Sequence, residues 1–154
     1  ILSATLVRKN KKSVAVPYYK ITPNGIGYIC LSKFSKGSAK EVESALKFLL
    51  IDNPKGIILD LKSNPGGLLN EAVDIINLFI PKNTLVVSTR GNNENYNSLY
   101  KTKNDPVNSN IPLVVVINDQ SASASEIVAG AIQDLDRGII IGKRSYGKGS
   151  CAGN

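Results

Sequence analysis

The stretch Leu113–Lys148 reads LVVVINDQSASASEIVAGAIQDLDRGIIIGKRSYGK, and the rest of the chain is interpreted around it. Its apolar start predicts a buried strand over Leu113–Ile117, and the small polar residues after it predict a tight turn. The spacing that follows predicts a helix, and a second buried strand is predicted over Gly138–Ile141. The inward face of that helix is formed by Ile127, Val128, Ala131 and Ile132. A serine-rich turn between a strand and a helix presents a nucleophile at a helix N-terminus.

The composition fits one globular domain or a piece of a larger protein. The 154 residues are 42% hydrophobic and 20% charged, with a net charge of +7. The basic residues are scattered, and the aromatic residues, 6% of the chain, do not alternate with a basic stripe. This pattern does not favour a nucleic-acid partner. No apolar run approaches the roughly 20 residues that span a bilayer.

The chain contains no histidine. If a hydroxyl group is the nucleophile, a lysine must therefore serve as the base. The two cysteines, Cys30 and Cys151, lack the spacing of metal ligands and are too few for a disulfide framework. We expect neither a metal nor a cofactor.

Strand and helix patterns alternate before this stretch. A capping box, Ser38 with Glu41, opens a first helix, and a second helix is predicted from about Leu68 to Ile80. The apolar strand at 56–61 is expected to be covered on both faces. This alternation predicts an α/β layered domain with a largely parallel central sheet. The strands predicted here are Val14–Val16, Ile26–Leu31, Gly56–Leu61 and the hairpin arms Thr84–Thr89 and Tyr96–Lys101.

Two loops follow apolar strands of this predicted sheet. They are Asn64–Gly67 and Asn118–Ser125. Sites form at the carboxyl ends of the strands in such sheets, so we expect the two loops to meet. Asp60, at the end of the first strand, is expected to hold loop amides rather than to titrate.

The second loop contains three candidate nucleophiles: Ser121, Ser123 and Ser125. Ser123 and Glu126 also form a capping box, so a purely structural N-cap is an equal interpretation. The residues alone do not choose among the three serines. The free amides and positive dipole end of the helix could stabilise an oxyanion, above all the amide that follows the nucleophile.

Lys148 lies between two glycines. A lysine in such a turn is ordinarily solvated; a general base would need its ammonium group shielded from water beside the serine. Gly66 or Gly67 could supply a second oxyanion amide. Asp134 lies near a helix C-terminus, where an acid opposes the dipole, so it is expected to have a specific partner.

Together, GIILDLKSNPGG, SASASEIVAGAIQDLDRGIIIG and SYGKG resemble the carboxy-terminal processing, or tail-specific, serine proteases. The resemblance extends over roughly residues 24–149. It implies a Clp protease/crotonase-like core and a Ser–Lys dyad. The residues it assigns are Ser123 as nucleophile, Lys148 as general base, Ala124 with Gly66 or Gly67 as oxyanion donors, and Asp134 as a supporting acid.

The resemblance also implies a wider context. Substrates would be protein or peptide C-termini, the location would be a bacterial periplasm or cell envelope, and a homo-oligomer is compatible with the resemblance. Residues 1–20 would be a strand remnant after an absent PDZ domain, and residues 21–154 a protease core truncated at its C-terminal end. Ala152 occupies a position where the family has a glutamine that orients the lysine, and Cys151–Asn154 is expected to be non-native.

Two alternatives stay open. The first is a crotonase-like acyl-thioester enzyme, which would use backbone oxyanion donors, bind coenzyme A and not need Ser123. The second is an inactive or peptide-binding fragment in which the dyad is present but not assembled.

Overall fold

The computed structural model describes residues 14–89 and 98–148. Strands and helices alternate along most of this length. The strands are β1 (Tyr18–Ile21), β2 (Gly27–Cys30), β3 (Ile57–Asp60), β4 (Leu85–Thr89), β5 (Ser98–Lys101), β6 (Leu113–Ile117) and β7 (Ile139–Gly142). The helices are α1 (Ser38–Leu50), α2 (Leu69–Asn77) and α3 (Ala124–Asp134).

The central sheet has the strand order β1-β2-β3-β6-β7. β1 runs antiparallel to β2, whereas the pairs β2–β3, β3–β6 and β6–β7 are parallel. The predicted α/β domain with a mainly parallel sheet is therefore confirmed. The predicted hairpin is confirmed too, since β4 and β5 pair antiparallel in a separate two-stranded sheet; residues 90–97 lie outside the described residues.

The three helices pack on one face of the sheet. The parallel strands advance in one direction from β2 to β7, so right-handed crossovers place every connecting helix on the same side. The core lies between this face and the helices. The fully buried side chains of this core include Ile29, Leu59, Val115, Leu46, Ile76 and Ile132. Burying a large apolar side chain of this kind contributes about 1.5–3 kcal/mol to stability relative to leaving it exposed.

The strand predicted over Gly138–Ile141 is present as β7, but its predicted burial is wrong. It forms an edge of the sheet, where Ile139 is 65% and Ile141 53% exposed. β3 is likewise not covered on both faces, since Ile58 is only half-buried. The three helices of the described residues lie on one side, so none of them covers the opposite face of the sheet. An apolar run does not reveal this asymmetry.

The capping box predicted for α1 is also wrong. Gly37, with φ 90°, precedes the helix, and the hydroxyl of Ser38 donates to Glu71 of α2 at 3.2 Å. The Glu71 carboxylate also accepts the N–H groups of Gly37 at 2.6 Å and Ala39 at 2.8 Å. A carboxylate from the neighbouring helix thus satisfies the free amides of α1.

Glu41 has a different partner from the predicted one. Its carboxylate accepts the N–H groups of Ala15 and Val16, at 2.8 and 2.9 Å. Val14–Val16 was predicted as a strand end, but it belongs to no strand; β1 begins at Tyr18. β1 crosses the boundary placed between residues 20 and 21, so residues 18–20 belong to the core sheet, and residues 1–13 lie outside the described residues.

Glu71→Ala is expected to lower the free energy of unfolding by about 2–3 kcal/mol, since hydrogen bonds to a charged group are lost and amides are left unpaired. Glu43→Ala is the matched control, because it removes only an exposed i,i+4 ion pair with Lys47. That change should cost at most about 0.5 kcal/mol. Urea unfolding followed by circular dichroism measures both, and equal effects would contradict the capping role of Glu71.

Candidate functional site

Ser123 occupies the turn between β6 and α3 in an unusual backbone conformation. Its φ is 55° and its ψ −115°, directly before the first residue of α3. A positive φ in a residue other than glycine costs about 1–3 kcal/mol and requires support from its surroundings. The turn is supported on one side, where the Ala122 N–H donates to the Asn64 carbonyl at 3.1 Å.

The structure separates three serines that the sequence left equivalent. Ser121 is fully buried, and its hydroxyl donates to the Leu61 carbonyl at 2.8 Å. Ser125 is fully buried as well, and its hydroxyl donates to the Asn64 carbonyl at 2.9 Å. Ser123 is only partly buried. Ser123 is therefore the one of the three that a substrate could reach.

Ser123 and Glu126 form the predicted capping box. The Glu126 carboxylate accepts the Ser123 N–H at 2.8 Å. The contact between the Ser123 hydroxyl and the Glu126 N–H is looser, and within the described part of the chain it does not have the geometry of an ordinary cap hydrogen bond. The Glu126 N–H donates instead to the Ser123 carbonyl at 2.9 Å. Both halves of the capping box are therefore present, and the carboxylate half has the better hydrogen-bond geometry.

The loop Asn64–Gly67 lies directly against Ser123. A Cβ atom on Gly66 would stand 2.7 Å from the Ala122 carbonyl oxygen, 2.8 Å from the Ser123 Cβ and 2.9 Å from the Ala124 nitrogen. Only glycine permits this approach, and Gly66 also has a φ of 97°. The two predicted site loops therefore meet.

Two backbone amides beside Ser123 are available for a ligand. The Ala124 N–H is at the first turn of α3, and neither it nor the Gly67 N–H has an acceptor within residues 14–89 and 98–148. The Gly66 N–H, by contrast, donates to the Asn64 Oδ1 at 2.9 Å. Free amides at a helix N-terminus favour a developing negative charge.

Lys148 lies on a turn that is fastened to the Ser123 loop. The Tyr146 N–H donates to the Ser121 carbonyl at 3.0 Å, and the Gly147 N–H donates to the Glu126 carboxylate at 2.7 Å. The Lys148 residue itself is exposed. The structure thus brings the turn to the Ser123 loop, but it does not shield the lysine as the general-base interpretation requires. Ala152, at the family's glutamine position, lies outside the described residues.

Asp134 lies far from Ser123, and its supporting role stays a prediction. It is the last residue of the 11-residue helix α3, about 15 Å along the axis from Ser123, and it is exposed. It has no ion pair or side-chain hydrogen bond in the described part of the chain, so the predicted partner is absent there. Asp60 behaves as predicted, because its carboxylate accepts the Lys62 N–H at 2.8 Å and the Tyr28 hydroxyl.

Asn64 and Glu126 organise the site, and the sequence patterns did not single them out for this role. Asn64 is fully buried; its side-chain amide donates to the Leu31 carbonyl at 2.8 Å, and its other bonds hold both site loops. An asparagine after a buried strand and before Pro-Gly-Gly is a turn signal that could have indicated it. No comparable signal exists for Glu126, whose long-range partners follow only from the fold.

Glu126 is expected to make stability depend on pH. Burial alone would raise the pKa of its carboxyl, but hydrogen bonds from Ser145, Gly147, Ser123 and Lys148 outweigh that effect and hold the pKa below its ordinary value of 4.5. Its stabilisation is therefore fully present above the pKa of the unfolded chain and lost as the pH falls through the lower folded value.

Comparing urea unfolding of the wild type with Glu126→Gln across pH tests this dependence. The difference in unfolding free energy should be largest at neutral pH and shrink below about pH 4.5. A difference that is constant from neutral to acidic pH would contradict the assigned hydrogen bonds.

Other kinds of site find no support in the described residues. Within residues 14–89 and 98–148, no group of three or more His, Cys, Asp or Glu side chains could hold a metal ion. Cys30 is a half-buried free thiol whose pKa is raised by burial and by the nearby Asp60 carboxylate. Among the helices described here, none is long and apolar enough to cross a membrane.

Comparison with known proteins assigns this arrangement to a family. Residues 25–153 match the family model described as Peptidase family S41. The chain belongs to peptidase family S41. The resemblance to carboxy-terminal processing proteases in the sequence motifs is thereby confirmed, together with the α/β fold.

Named relatives of this S41 chain are considerably longer than it is. It is 44% identical over 126 residues to the carboxyl-terminal-processing protease of Synechocystis sp., covering 80% of the chain and 28% of that relative. It is 40% identical over 153 residues to the carboxy-terminal-processing protease of Bartonella bacilliformis, covering 97% and 35%. The solved photosystem II D1 C-terminal processing protease matches at 30% identity with a TM-score of 0.72, covering 83% and 34%. The chain thus spans about a third of the length of these relatives.

Proposed function

We propose that this chain is the core of a carboxy-terminal processing serine peptidase that uses Ser123 as nucleophile and Lys148 as general base. The observation that carries the proposal is the geometry of Ser123. This residue is held in a strained turn at a helix N-terminus, with Gly66 in contact and two unpaired amides beside it. Its neighbours Ser121 and Ser125 are fully buried, so the choice of nucleophile rests on accessibility as well as on the motif.

The proposed reaction proceeds through an acyl-enzyme. The Ser123 oxygen attacks the carbonyl carbon of the scissile peptide bond while its proton passes to the neutral amine of Lys148. The tetrahedral intermediate collapses, the C–N bond breaks, and the lysine returns the proton to the leaving amine. Water, deprotonated by the same amine, then hydrolyses the ester to release the acid product and restore the serine.

The oxyanion would be bound by the amides of Ala124 and Gly67. The carbonyl of Gly66 accepts the Phe34 N–H at 3.0 Å, so the trans peptide that joins Gly66 to Gly67 directs its N–H away from Phe34. The Gly66 amide itself is engaged by Asn64. Because the Gly66 N–H already has an acceptor and the Gly67 N–H has none among the described residues, Gly67 is the favoured second oxyanion donor. Loss of one such donor costs about 10²–10³-fold in kcat.

Lys148 must lose water to become a base, and it is exposed in the described structure. We infer that a bound peptide covers the turn and excludes water from the ammonium group. The exposure also favours the second candidate, a peptide-binding fragment whose dyad does not assemble. The two candidates differ in whether peptide bonds are broken.

Mass spectrometry of peptide products tests the proposal. The chain is incubated with a peptide that has a free C-terminus, with its C-terminally amidated twin and with an acyl-coenzyme A. Cleavage of the free peptide, slower cleavage of the amide and no turnover of the thioester are expected. Binding without cleavage would favour the peptide-binding candidate, and turnover of the thioester would favour the crotonase-like one.

The wider context is proposed by likeness alone. The bacterial relatives are named for carboxy-terminal processing, which supports protein C-termini as substrates. We propose a periplasmic or envelope location and an associated PDZ domain in the parent protein on the same ground. Fractionation of the source cells tests the location, and light scattering of the purified chain tests the proposed homo-oligomer.

A further inference from the structure

The turn that carries Lys148 has little apolar packing. It follows β7 at the sheet edge, and Tyr146 is 69% exposed. Hydrogen bonds fasten it instead: the Lys143 N–H donates to the Ile117 carbonyl at 3.2 Å, and the Ser145 hydroxyl and the Gly147 N–H donate to the Glu126 carboxylate. A segment with few buried apolar contacts opens easily, so its polar bonds decide its position.

The Glu126 carboxylate bonds in two directions at once. Its Oε2 accepts the Ser123 N–H at 2.8 Å. Its Oε1 accepts the Ser145 hydroxyl and the Gly147 N–H, each at 2.7 Å, and the backbone N–H of Lys148 also donates to this side chain. Hydrogen bonds of this length to an ionised group are of the stronger kind. One side chain therefore joins the backbone of the proposed nucleophile to the backbone of the proposed base.

We propose that Glu126 is a positioning residue that fixes the Lys148 turn against the N-terminus of α3 and so sets where the lysine stands relative to Ser123. The catalytic consequence rests on the proposed function. The bridge itself, meaning the hydrogen bonds that join the Ser123 N–H through the Glu126 carboxylate to Ser145 and Gly147, does not. A helix cap would need only the bond to the Ser123 N–H. Capping α3 does not require the further bonds to Ser145 and Gly147, whereas positioning the Lys148 turn does.

Nuclear magnetic resonance of the ¹⁵N-labelled chain tests the bridge without any activity. The amide protons of Ser123 and Gly147 bond to one carboxylate, so their chemical shifts should titrate with a common midpoint. Both titrations should vanish in Glu126→Gln and persist in Glu43→Gln, a control that changes an exposed glutamate of α1. A Gly147 amide that does not titrate, or that has a different midpoint, would overturn the proposal.

Ser145→Ala provides a second variant that leaves the carboxylate and the helix cap in place. It removes one of the bonds to the turn, so hydrogen exchange at Gly147 and Lys148 should accelerate several-fold while the Ser123 amide stays unchanged. This result would support the bridge even if Glu126→Gln did not fold. Unchanged exchange at Gly147 and Lys148 would overturn it.

Kinetics separate positioning from a purely structural role. Glu126→Gln should lower kcat about 10²-fold with KM little changed, because misplacing a catalytic group by about 1 Å has such an effect. Wild-type kcat in Glu126→Gln, alongside an inactive Ser123→Ala, would overturn the positioning role. Full turnover by Ser123→Ala would instead refute the proposed function and leave the magnetic-resonance result standing.

Discussion

Ser123→Ala is expected to lower kcat/KM for a cleavable peptide by about 10⁴-fold or more, because it removes the atom proposed to form the acyl-enzyme. Lys148→Ala should lower it by a similar factor, since the serine proton would have no acceptor. The double variant should be about as slow as either single one, because residues that act as a unit have non-additive effects. Continuous fluorescence from a quenched peptide measures all three rates.

Ser125→Ala is the matched control for the nucleophile. Its hydroxyl is fully buried and bonds to the Asn64 carbonyl, so its loss should reduce stability while leaving a far larger share of the activity than Ser123→Ala leaves. Circular dichroism of each variant confirms that the fold persists. Turnover by Ser123→Ala within tenfold of the wild type would remove this serine as nucleophile, and the same result with Lys148→Ala would remove the lysine.

Gly66→Ala should have the second largest effect, and it acts on both stability and activity. The added Cβ would approach three atoms of the Ser123 turn within 3 Å, at a φ of 97° that alanine rarely adopts. Overpacking and backbone strain together should cost about 3–5 kcal/mol. The expected fall in Tm is about 10 °C, and the displaced Ser123 turn should lose most of its activity.

Gly130→Ala is the control for this substitution. Gly130 lies within α3, and a Cβ there would meet nothing within 4 Å. It should stabilise the chain by up to about 1 kcal/mol, since alanine is the better helix former. Differential scanning calorimetry compares the two variants. If Gly66→Ala melted at the wild-type temperature, the close contact between the two site loops would be contradicted.

Much of the fold followed from local patterns. The apolar run Leu113–Ile117 predicted β6 to the residue, and the paired strands around 90–97 predicted the hairpin. These predictions succeeded because apolar periodicity depends on which side of an element faces a core, and nearby residues specify that. The meeting of the two site loops also followed, because carboxyl ends of neighbouring parallel strands share one edge.

The wrong predictions share a cause. A capping box was predicted for Ser38 and Glu41, yet Ser38 bonds to Glu71 of another helix and Glu41 bonds to the chain before β1. β7 was predicted to be buried, yet it forms an edge of the sheet, where Ile139 is exposed. Local spacing shows which partners are possible, and packing decides which of them is used.

The sequence by itself determined the order of strands and helices from β2 onward, the two loops that form the candidate site and the family to which the chain belongs. Only the tertiary structure decided which of the three serines stays accessible and which glycine amide is unpaired. It alone revealed that Glu126 joins the Ser123 amide to the Lys148 turn. The physical reason is that burial and hydrogen-bond satisfaction depend on groups brought together from distant parts of the chain.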